Sequence, residues 1–233
     1  MCVILLLVCL VGVGQSATPA PPKPCCTDRE FKVTLGEAGG AMYKVNGHYV
    51  QNFIQGYNVV YYDSYNEMMA VEAVIFSNGT KITSHLVQDY PKKSQYLITK
   101  DGTCTRYAMT RTFRKPCIPD DSEFDGYSYM GYGTEELPLV SWRYRQPGTD
   151  HIIKLTVTKE GCVPIIENIF GHYQITNISE PVVANTMFLM VGFQPSIGNR
   201  DAFKIPSGCT SSTDTIPQPV GRSLRGVHAL FAN

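Results

Sequence analysis

The stretch LITKDGTCTRYAM, residues 97–109, has the pattern of a tight hairpin. An apolar run ends at the turn residues Lys100, Asp101 and Gly102, and Cys104 follows where the chain returns. Gly and Asp provide the backbone conformations that a tight turn needs. The segment therefore predicts two neighbouring antiparallel strands, with a cysteine placed to bond the hairpin to another part of the chain.

Period-two alternation extends outward from this hairpin. Residues 31–35 and 153–157 alternate apolar and polar side chains. Other segments rich in β-branched and aromatic residues are NVVYY, MMAVEAVIF, QYLIT, PLVSW, VPIIENIF and TMFLMVGF. Helical periodicity is nearly absent, so the sequence predicts an all-β protein with an antiparallel sheet of about nine to eleven strands.

A sheet of this size must pack on a second sheet or curl on itself, because one apolar face has to be covered. Two of the segments, MMAVEAVIF and TMFLMVGF, are apolar on both faces and predict strands that are covered at front and back. Two explanations of these doubly apolar strands are open. They belong either to a packed core with an oligomer interface or to the wall of a cavity for an apolar ligand.

The ends of the chain have a different composition. Residues 1–17 form an apolar run followed by small residues, which predicts a signal peptide, although no Lys or Arg precedes the run. Residues 18–24 read as a proline-rich spacer, residues 25–209 as the folded domain, and residues 210–233 as a flexible tail. The pattern indicates an exported protein with no transmembrane segment after the signal.

The charge and the cysteine content restrict the possible functions further. The sequence contains 20 basic residues (Lys and Arg) and 20 acidic residues (Asp and Glu), so it lacks the excess positive charge that is typical of proteins that bind nucleic acid. Six cysteines remain after the signal, enough for three disulfides in any of fifteen connectivities: Cys25, Cys26, Cys104, Cys117, Cys162 and Cys209. Asn78 and Asn177 lie in N-x-S/T sequons and predict glycosylation.

No catalytic motif emerges from the sequence. The histidines are scattered, and residues 126–130 begin like a nucleophile elbow but lack its last glycine, so we expect no enzymatic activity. The segment DDSEFDG copies the first half of a calcium loop, but Tyr132 stands where the bidentate Glu belongs. It is read either as a solvated loop or as a calcium site with the ligands Asp120, Asp121, Glu123 and Asp125.

Several segments, taken in order, resemble the ependymin family, which includes the mammalian ependymin-related proteins: YYDSYNEMMAVEA, YLITKDGTCTRYAM, IPDDSEFDGYSYMGYG leading into LPLVSWRY, LTVTKEGCVPI and FKIPSGC. This resemblance implies two stacked antiparallel sheets that form a curved half-barrel around an apolar pocket, similar to bacterial lipoprotein-carrier folds. It also implies a secreted glycoprotein, usually a homodimer, associated with calcium, with extracellular matrix or cell adhesion and, in some members, with delivery to the lysosomal lumen.

The resemblance also implies two disulfides, one between Cys104 and Cys209 and one between Cys162 and either Cys25 or Cys26. For the remaining cysteines we hypothesise a Cys26–Cys117 bond, with an intermolecular bond as the alternative. The residues expected to line the pocket are Trp142, Val140, Ile153, Leu155, Phe188 and Met190. Two functions follow: binding of a lipid or fatty-acid-like ligand, or calcium-dependent adhesion with a core that is merely packed.

Overall fold

In a computed structural model, which describes residues 20–77, 79–173, 180–214 and 216, nearly all of the regular secondary structure is β-strand. The predicted signal peptide, both sequon asparagines and residues 217–233 of the predicted tail lie outside the described residues. The strands are β1 (Glu30–Val45), β2 (His48–Asp63), β3 (Met68–Ser77), β4 (Thr80–Asp89), β5 (Ser94–Thr99), β6 (Cys104–Ala108), β7 (Glu123–Met130), β8 (Leu137–Arg145), β9 (Ile152–Thr158), β10 (Pro164–Tyr173), β11 (Val182–Gln194) and β12 (Thr210–Ser212). Two short 3-10 helices occupy Gly133–Glu135 and Arg200–Phe203. None of the described helices is long and apolar enough to cross a membrane.

The strands form one sheet in the order β12-β6-β5-β4-β3-β2-β1-β11-β10-β9-β8-β7. Every neighbouring pair is antiparallel except β12 with β6, which is parallel. The long strands β1 and β2 pair along their whole length, from Glu30 opposite Asp63 to Val45 opposite His48. The predicted all-β class is confirmed, and the two halves of the fold are parts of a single hydrogen-bonded sheet on either side of β1.

The main core covers one face of this sheet. A single buried cluster includes Leu86 and Leu97 in one half, Phe31 in β1, and Trp142 and Ile153 in the other half. Side chains from strands so distant in the sheet meet only when the sheet curls over its own face. This inner face therefore encloses the core, as predicted for a curved half-barrel.

A second cluster covers part of the outer face. Ala70 and Val87 pack there against Ile197 and Ala202, which belong to the segment between β11 and β12. This cover explains why MMAVEAVIF, within β3, is apolar on both faces. On β11 the outer face is uncovered in the described chain, and Met187 is 42% exposed.

The hairpin predicted over residues 97–109 is confirmed as β5 and β6. Ile98 pairs with Cys104, the turn contains Gly102 at φ +86°, and the Asp101 carboxylate accepts a 3.2 Å hydrogen bond from the Thr103 amide. Three disulfides are present, joining Cys25 to Cys162, Cys26 to Cys117 and Cys104 to Cys209. The third ties the hairpin to the segment that covers the outer face.

The structure also differs from the sequence expectations. It contains three strands that the pattern missed, β4, β7 and β12, and β12 lies just beyond the domain boundary predicted at Cys209. The acidic segment is a loop only in part, because Asp120 and Asp121 form a turn whereas β7 begins at Glu123. Pairing with β8 makes this segment a strand despite its acidic composition.

Candidate ligand-binding site

A cavity of about 330 Å³ opens between the two halves of the sheet. Its wall combines residues of β2 and β3, Tyr90 just after β4, the segment 110–114, and the turn 146–149 that follows β8. The lining residues are Tyr62, Met69, Tyr90, Thr110, Arg111, Thr112, Phe113, Arg114, Gln146, Pro147 and Thr149. The wall therefore offers aromatic surface, hydroxyl groups and two guanidinium groups.

Aromatic contacts hold the segment 110–114 against the inner face of the sheet. The ring of Phe113 stacks on Tyr62 with centroids 5.1 Å apart and meets Tyr90 edge-on at 5.1 Å. The Tyr62 hydroxyl donates a hydrogen bond to the backbone carbonyl of Arg114. Burial raises the pKa of both tyrosines, so their phenols stay neutral at physiological pH. The wall is thus attached to the sheet by packing and by a side-chain hydrogen bond.

The charge of the wall is positive. Arg111 and Arg114 are its two charged residues, and no Asp or Glu is among the eleven lining residues. Burial raises the pKa of Tyr90, and the charges of both arginines oppose that rise. Nη1 of Arg114 is buried and has no hydrogen-bond partner among the described residues.

A second polar feature lies deeper on the inner face. Glu167 on β10 is fully buried, and its cross-strand neighbours are Leu155 and Phe188. Neither carboxyl oxygen has a hydrogen-bond partner within the described part of the chain. Burial raises the pKa of Glu167 well above its ordinary range, which favours the protonated acid. A buried carboxyl group with no partner costs free energy, so its presence in the core needs an explanation.

Two further polar groups share this row of the sheet. Glu37 lies opposite Phe188, and its carboxylate accepts a 3.1 Å hydrogen bond from the amide of Asn58. Both side chains are buried. At the other end of the row, the buried indole Nε1 of Trp142 has no hydrogen-bond partner among the residues described. The interior is therefore an apolar surface with a few polar groups, which is the composition expected of a small-molecule site.

The six residues predicted to line a pocket are all buried in the inner cluster, with exposures of 5% or less. They do not line the cavity described above. The cavity adjoins the same cluster, because Tyr62 and Met69 belong to both. The predicted residues thus belong to the packed cluster that the cavity adjoins.

The predicted calcium ligands do not converge. Glu123 forms a salt bridge with Arg143 at 2.7 Å, and Asp125 forms one with Lys154 at 2.5 Å. The hydrogen bond from Lys154 lowers the pKa of Asp125. The described residues contain no group of three or more His, Cys, Asp or Glu side chains placed to hold a metal ion. A calcium ion takes six to eight oxygen ligands, so the site at Asp120, Asp121, Glu123 and Asp125 stays a prediction.

Sequence reasoning missed the segment that carries the two arginines. The segment RTFRK at 111–115 contains three basic residues and one aromatic residue in a stretch between two strands. That composition is a weak signal, since a basic loop in solvent has the same composition. Contacts with a distant part of the sequence, the stacking of Phe113 on Tyr62 and the hydrogen bond from Tyr62 to the Arg114 carbonyl, place Arg114 at the cavity.

Comparison with known proteins finds a matching family model and related sequences. The family model described as Ependymin matches residues 78–209. Ependymin-related protein 2 of Haliotis asinina is 27% identical over 219 residues, covering 89% of this chain and 97% of that protein. Ependymin-related protein 1 of the same organism is 27% identical over 139 residues, covering 55% and 66% respectively. Among solved structures, an uncharacterized conserved protein from Thermus thermophilus superimposes with a TM-score of 0.47 at 11% identity, covering 80% of this chain and 91% of that one.

Proposed function

This chain belongs to the ependymin family, and on that basis we propose that it is a secreted, non-enzymatic glycoprotein that binds a hydrophobic, lipid- or fatty-acid-like ligand inside its curved sheet. The observation that carries the proposal is the cavity of about 330 Å³ next to the inner cluster. Its volume is within the range of small-molecule sites. The three disulfides are consistent with an extracellular or lysosomal-lumen location.

The composition of the cavity wall supports binding rather than catalysis. Tyr62, Met69 and Phe113 offer apolar surface, and the threonines and arginines offer hydrogen bonds. The eleven lining residues include no His, Cys, Asp or Glu to act as a nucleophile or general base. We assign the cavity to the ligand's polar end and entry, and the predicted residues Trp142, Val140, Ile153, Leu155, Phe188 and Met190 to the apolar surface that its chain approaches.

A fluorescent fatty acid tests this proposal. Trp142 is the sole tryptophan of the sequence and lies in the inner cluster, so quenching of its emission reports a chain that reaches the interior. We expect saturable binding at one site per chain. Thr112→Phe, which enlarges an exposed side chain of the cavity wall, should weaken binding, whereas Thr134→Phe, at an exposed site away from the cavity, should not. Equal binding by both variants would contradict the cavity as the site.

The alternative function is calcium-dependent adhesion or matrix binding. It receives less support, because Glu123 and Asp125 are each paired with a basic side chain. A calcium titration followed by thermal unfolding separates the two functions. If the protein only binds a ligand in the cavity, added calcium should leave the unfolding temperature unchanged. An unfolding temperature that rises with calcium concentration would favour the calcium-dependent adhesion function.

We also propose that the chain forms a homodimer through the uncovered outer face of β11 and its neighbours. Leu189 and Val191 on β11 are 40% and 50% exposed, and Phe53 and Phe170 on nearby strands are 56% and 51% exposed. Contiguous exposed apolar surface of this kind is typical of interfaces. Analytical ultracentrifugation should show a dimer that Leu189→Glu dissociates and Leu137→Glu, on the distant strand β8, leaves intact.

A further inference from the structure

We infer that Tyr132 is a site of tyrosine O-sulfation, in which a sulfotransferase of the secretory pathway transfers a sulfuryl group from 3′-phosphoadenylyl sulfate to the phenol. The phenolic oxygen forms a bond to sulfur, and the bond between that sulfur and the phosphate oxygen of the donor breaks. Adenosine 3′,5′-bisphosphate leaves with the bonding electron pair, and a base of the transferase takes the phenol proton. The inference rests on secretion, which belongs to the proposed function, and adds a covalent modification outside the cavity.

Tyr132 is the most accessible aromatic side chain in the described part of the protein. It is 84% exposed, and its hydroxyl has no hydrogen-bond partner among the described residues. Its backbone is extended, with φ −155° and ψ 158°, and Gly131 and Gly133 flank it without side chains. A transferase that acts on the folded, secreted chain can therefore reach the phenol and the backbone on both sides of it.

The position of Tyr132 next to a free sheet edge favours recognition by an enzyme. The strand β7, which ends at Met130, is the last strand of the sheet, so one side of its backbone has no strand partner in the described chain. Such an edge can form main-chain hydrogen bonds with a binding partner. The unpaired side of β7 offers donors and acceptors close to Tyr132 while the protein stays folded.

The charge around Tyr132 is negative. Residues 116–142 contain no Lys, Arg or His, and their acidic residues are Asp120, Asp121, Glu123, Asp125, Glu135 and Glu136. Glu135 and Glu136, shortly after Tyr132, are exposed and take part in no salt bridge of the described residues. Since 3′-phosphoadenylyl sulfate is an anion, its transferase needs basic side chains at the active site, and carboxylates of the substrate protein can pair with them.

Tyr49 is exposed to a comparable extent but lacks the acidic surroundings. Its side chain is 67% exposed, yet residues 38–62 contain no Asp or Glu. Nζ of Lys44 lies 4.9 Å from the centre of its ring, so the charge next to it is positive. Exposure alone therefore does not distinguish the two tyrosines, whereas charge does, and Tyr49 is the matched control.

Peptide mass spectrometry of the full chain, secreted from eukaryotic cells that sulfate a co-expressed reference protein, tests the inference. Fragmentation that keeps the sulfate ester on its residue assigns the modified tyrosine. We expect the mass of one sulfate on Tyr132, resistant to phosphatase, and none on Tyr49. Chlorate, which blocks synthesis of the donor, and Tyr132→Phe should each abolish this added mass, whereas Tyr49→Phe should leave it unchanged.

A purified tyrosylprotein sulfotransferase tests the role of the acidic residues. Folded protein from chlorate-treated cells is incubated with labelled 3′-phosphoadenylyl sulfate. We expect the double variant Glu135→Gln, Glu136→Gln to lower the rate of transfer by about tenfold or more, as loss of charge-assisted contacts does. The control variant Asp28→Asn, Glu180→Gln, which removes two exposed carboxylates elsewhere, should change the rate by less than about twofold.

The outcomes separate the inference from the function on which it rests. A secreted protein whose Tyr132 stays unmodified in these cells would overturn the inference and leave ligand binding in the cavity in place. An added mass that phosphatase removes, or a sulfate on Tyr127 or Tyr129 instead, would also overturn it. Equal rates for the two double variants would overturn recognition through Glu135 and Glu136. If the chain is not secreted at all, both the inference and the secreted location fail.

Discussion

Replacement of Glu167 by Gln should stabilise the protein increasingly as the pH rises above about 4.5, the ordinary pKa of this side chain. Burial raises the folded-state pKa of Glu167, so the folded chain keeps a proton that the unfolded chain releases. The free energy of unfolding of the wild type therefore falls with rising pH, between the unfolded and the folded pKa. Gln has nearly the same shape and no proton to release, so the variant avoids this loss.

The magnitude follows from linkage. Each pH unit between the two pKa values costs the wild type about 1.4 kcal/mol relative to the variant. Each of these pH units corresponds to about 3 to 6 °C in unfolding temperature for a chain of this size. Burial, with a contribution from Glu167, raises the pKa of Tyr144, so its phenol stays protonated in both proteins over this pH range.

Urea unfolding of both proteins, followed by Trp142 fluorescence from pH 4 to pH 7.5, measures this difference. Glu136→Gln, which changes an exposed carboxylate, serves as the control and should parallel the wild type. A constant difference between wild type and Glu167→Gln at all pH values would refute the buried protonated acid. A wild type that is more stable than the variant at pH 7 would refute it as well, since Glu167 would then have a partner in the folded protein.

Three other perturbations test the fold. Gly56→Ala should destabilise the protein by about 1 to 3 kcal/mol in the same urea assay, because the added methyl would overlap the backbone of β3. Gly36→Ala serves as the control and should be tolerated, since its Cβ would meet nothing nearer than 3.7 Å. Replacing both cysteines of the Cys104–Cys209 disulfide by Ser, which opens a loop of sequence separation 105, should cost about 2 to 5 kcal/mol in the free energy of unfolding. Arg200→Ala should cost about 1 to 2 kcal/mol at pH 7, because it leaves the buried carboxylate of Asp63 without its cation. Burial alone would raise the pKa of Asp63, but hydrogen bonds and the charge of Arg200 lower it. The stability that Asp63 gains from Arg200 is therefore present above about pH 4 and is lost as the pH falls further. Thermal unfolding should show a smaller difference between wild type and Arg200→Ala at pH 3 than at pH 7.

Local patterns predicted the strands whose signals are contained within a few residues. The hairpin of β5 and β6 follows from its turn chemistry, and β9 from the alternation that ends at Val157. The full length of β1 was not predictable in this way, because Gly39 and Gly40 read as a break. The structure continues β1 through both glycines, since their strand partners on β2 and β11 approach closely and supply the hydrogen bonds.

The candidate site was less predictable, because its geometry depends on contacts between distant segments. Whether Arg114 faces solvent or a cavity is decided by Phe113 packing on Tyr62, a residue 51 positions away along the sequence. Whether Glu167 points inward depends on the register of β10, which shifts between Pro164 and Ile166. The six residues predicted for a pocket were apolar strand residues, and apolar character alone does not distinguish a packed core from the wall of a cavity.

The most direct test of the central claim is native mass spectrometry of the mature protein secreted from eukaryotic cells, followed by organic extraction of the same sample. Ligand binding inside the sheet predicts a bound molecule that stays with the folded chain, is released on denaturation, and is extracted as an amphipathic lipid or fatty acid. The Thr112→Phe variant, purified in parallel, should carry less of it. A wild-type protein that is empty when purified and takes up neither added fatty acid nor added phospholipid would contradict the claim.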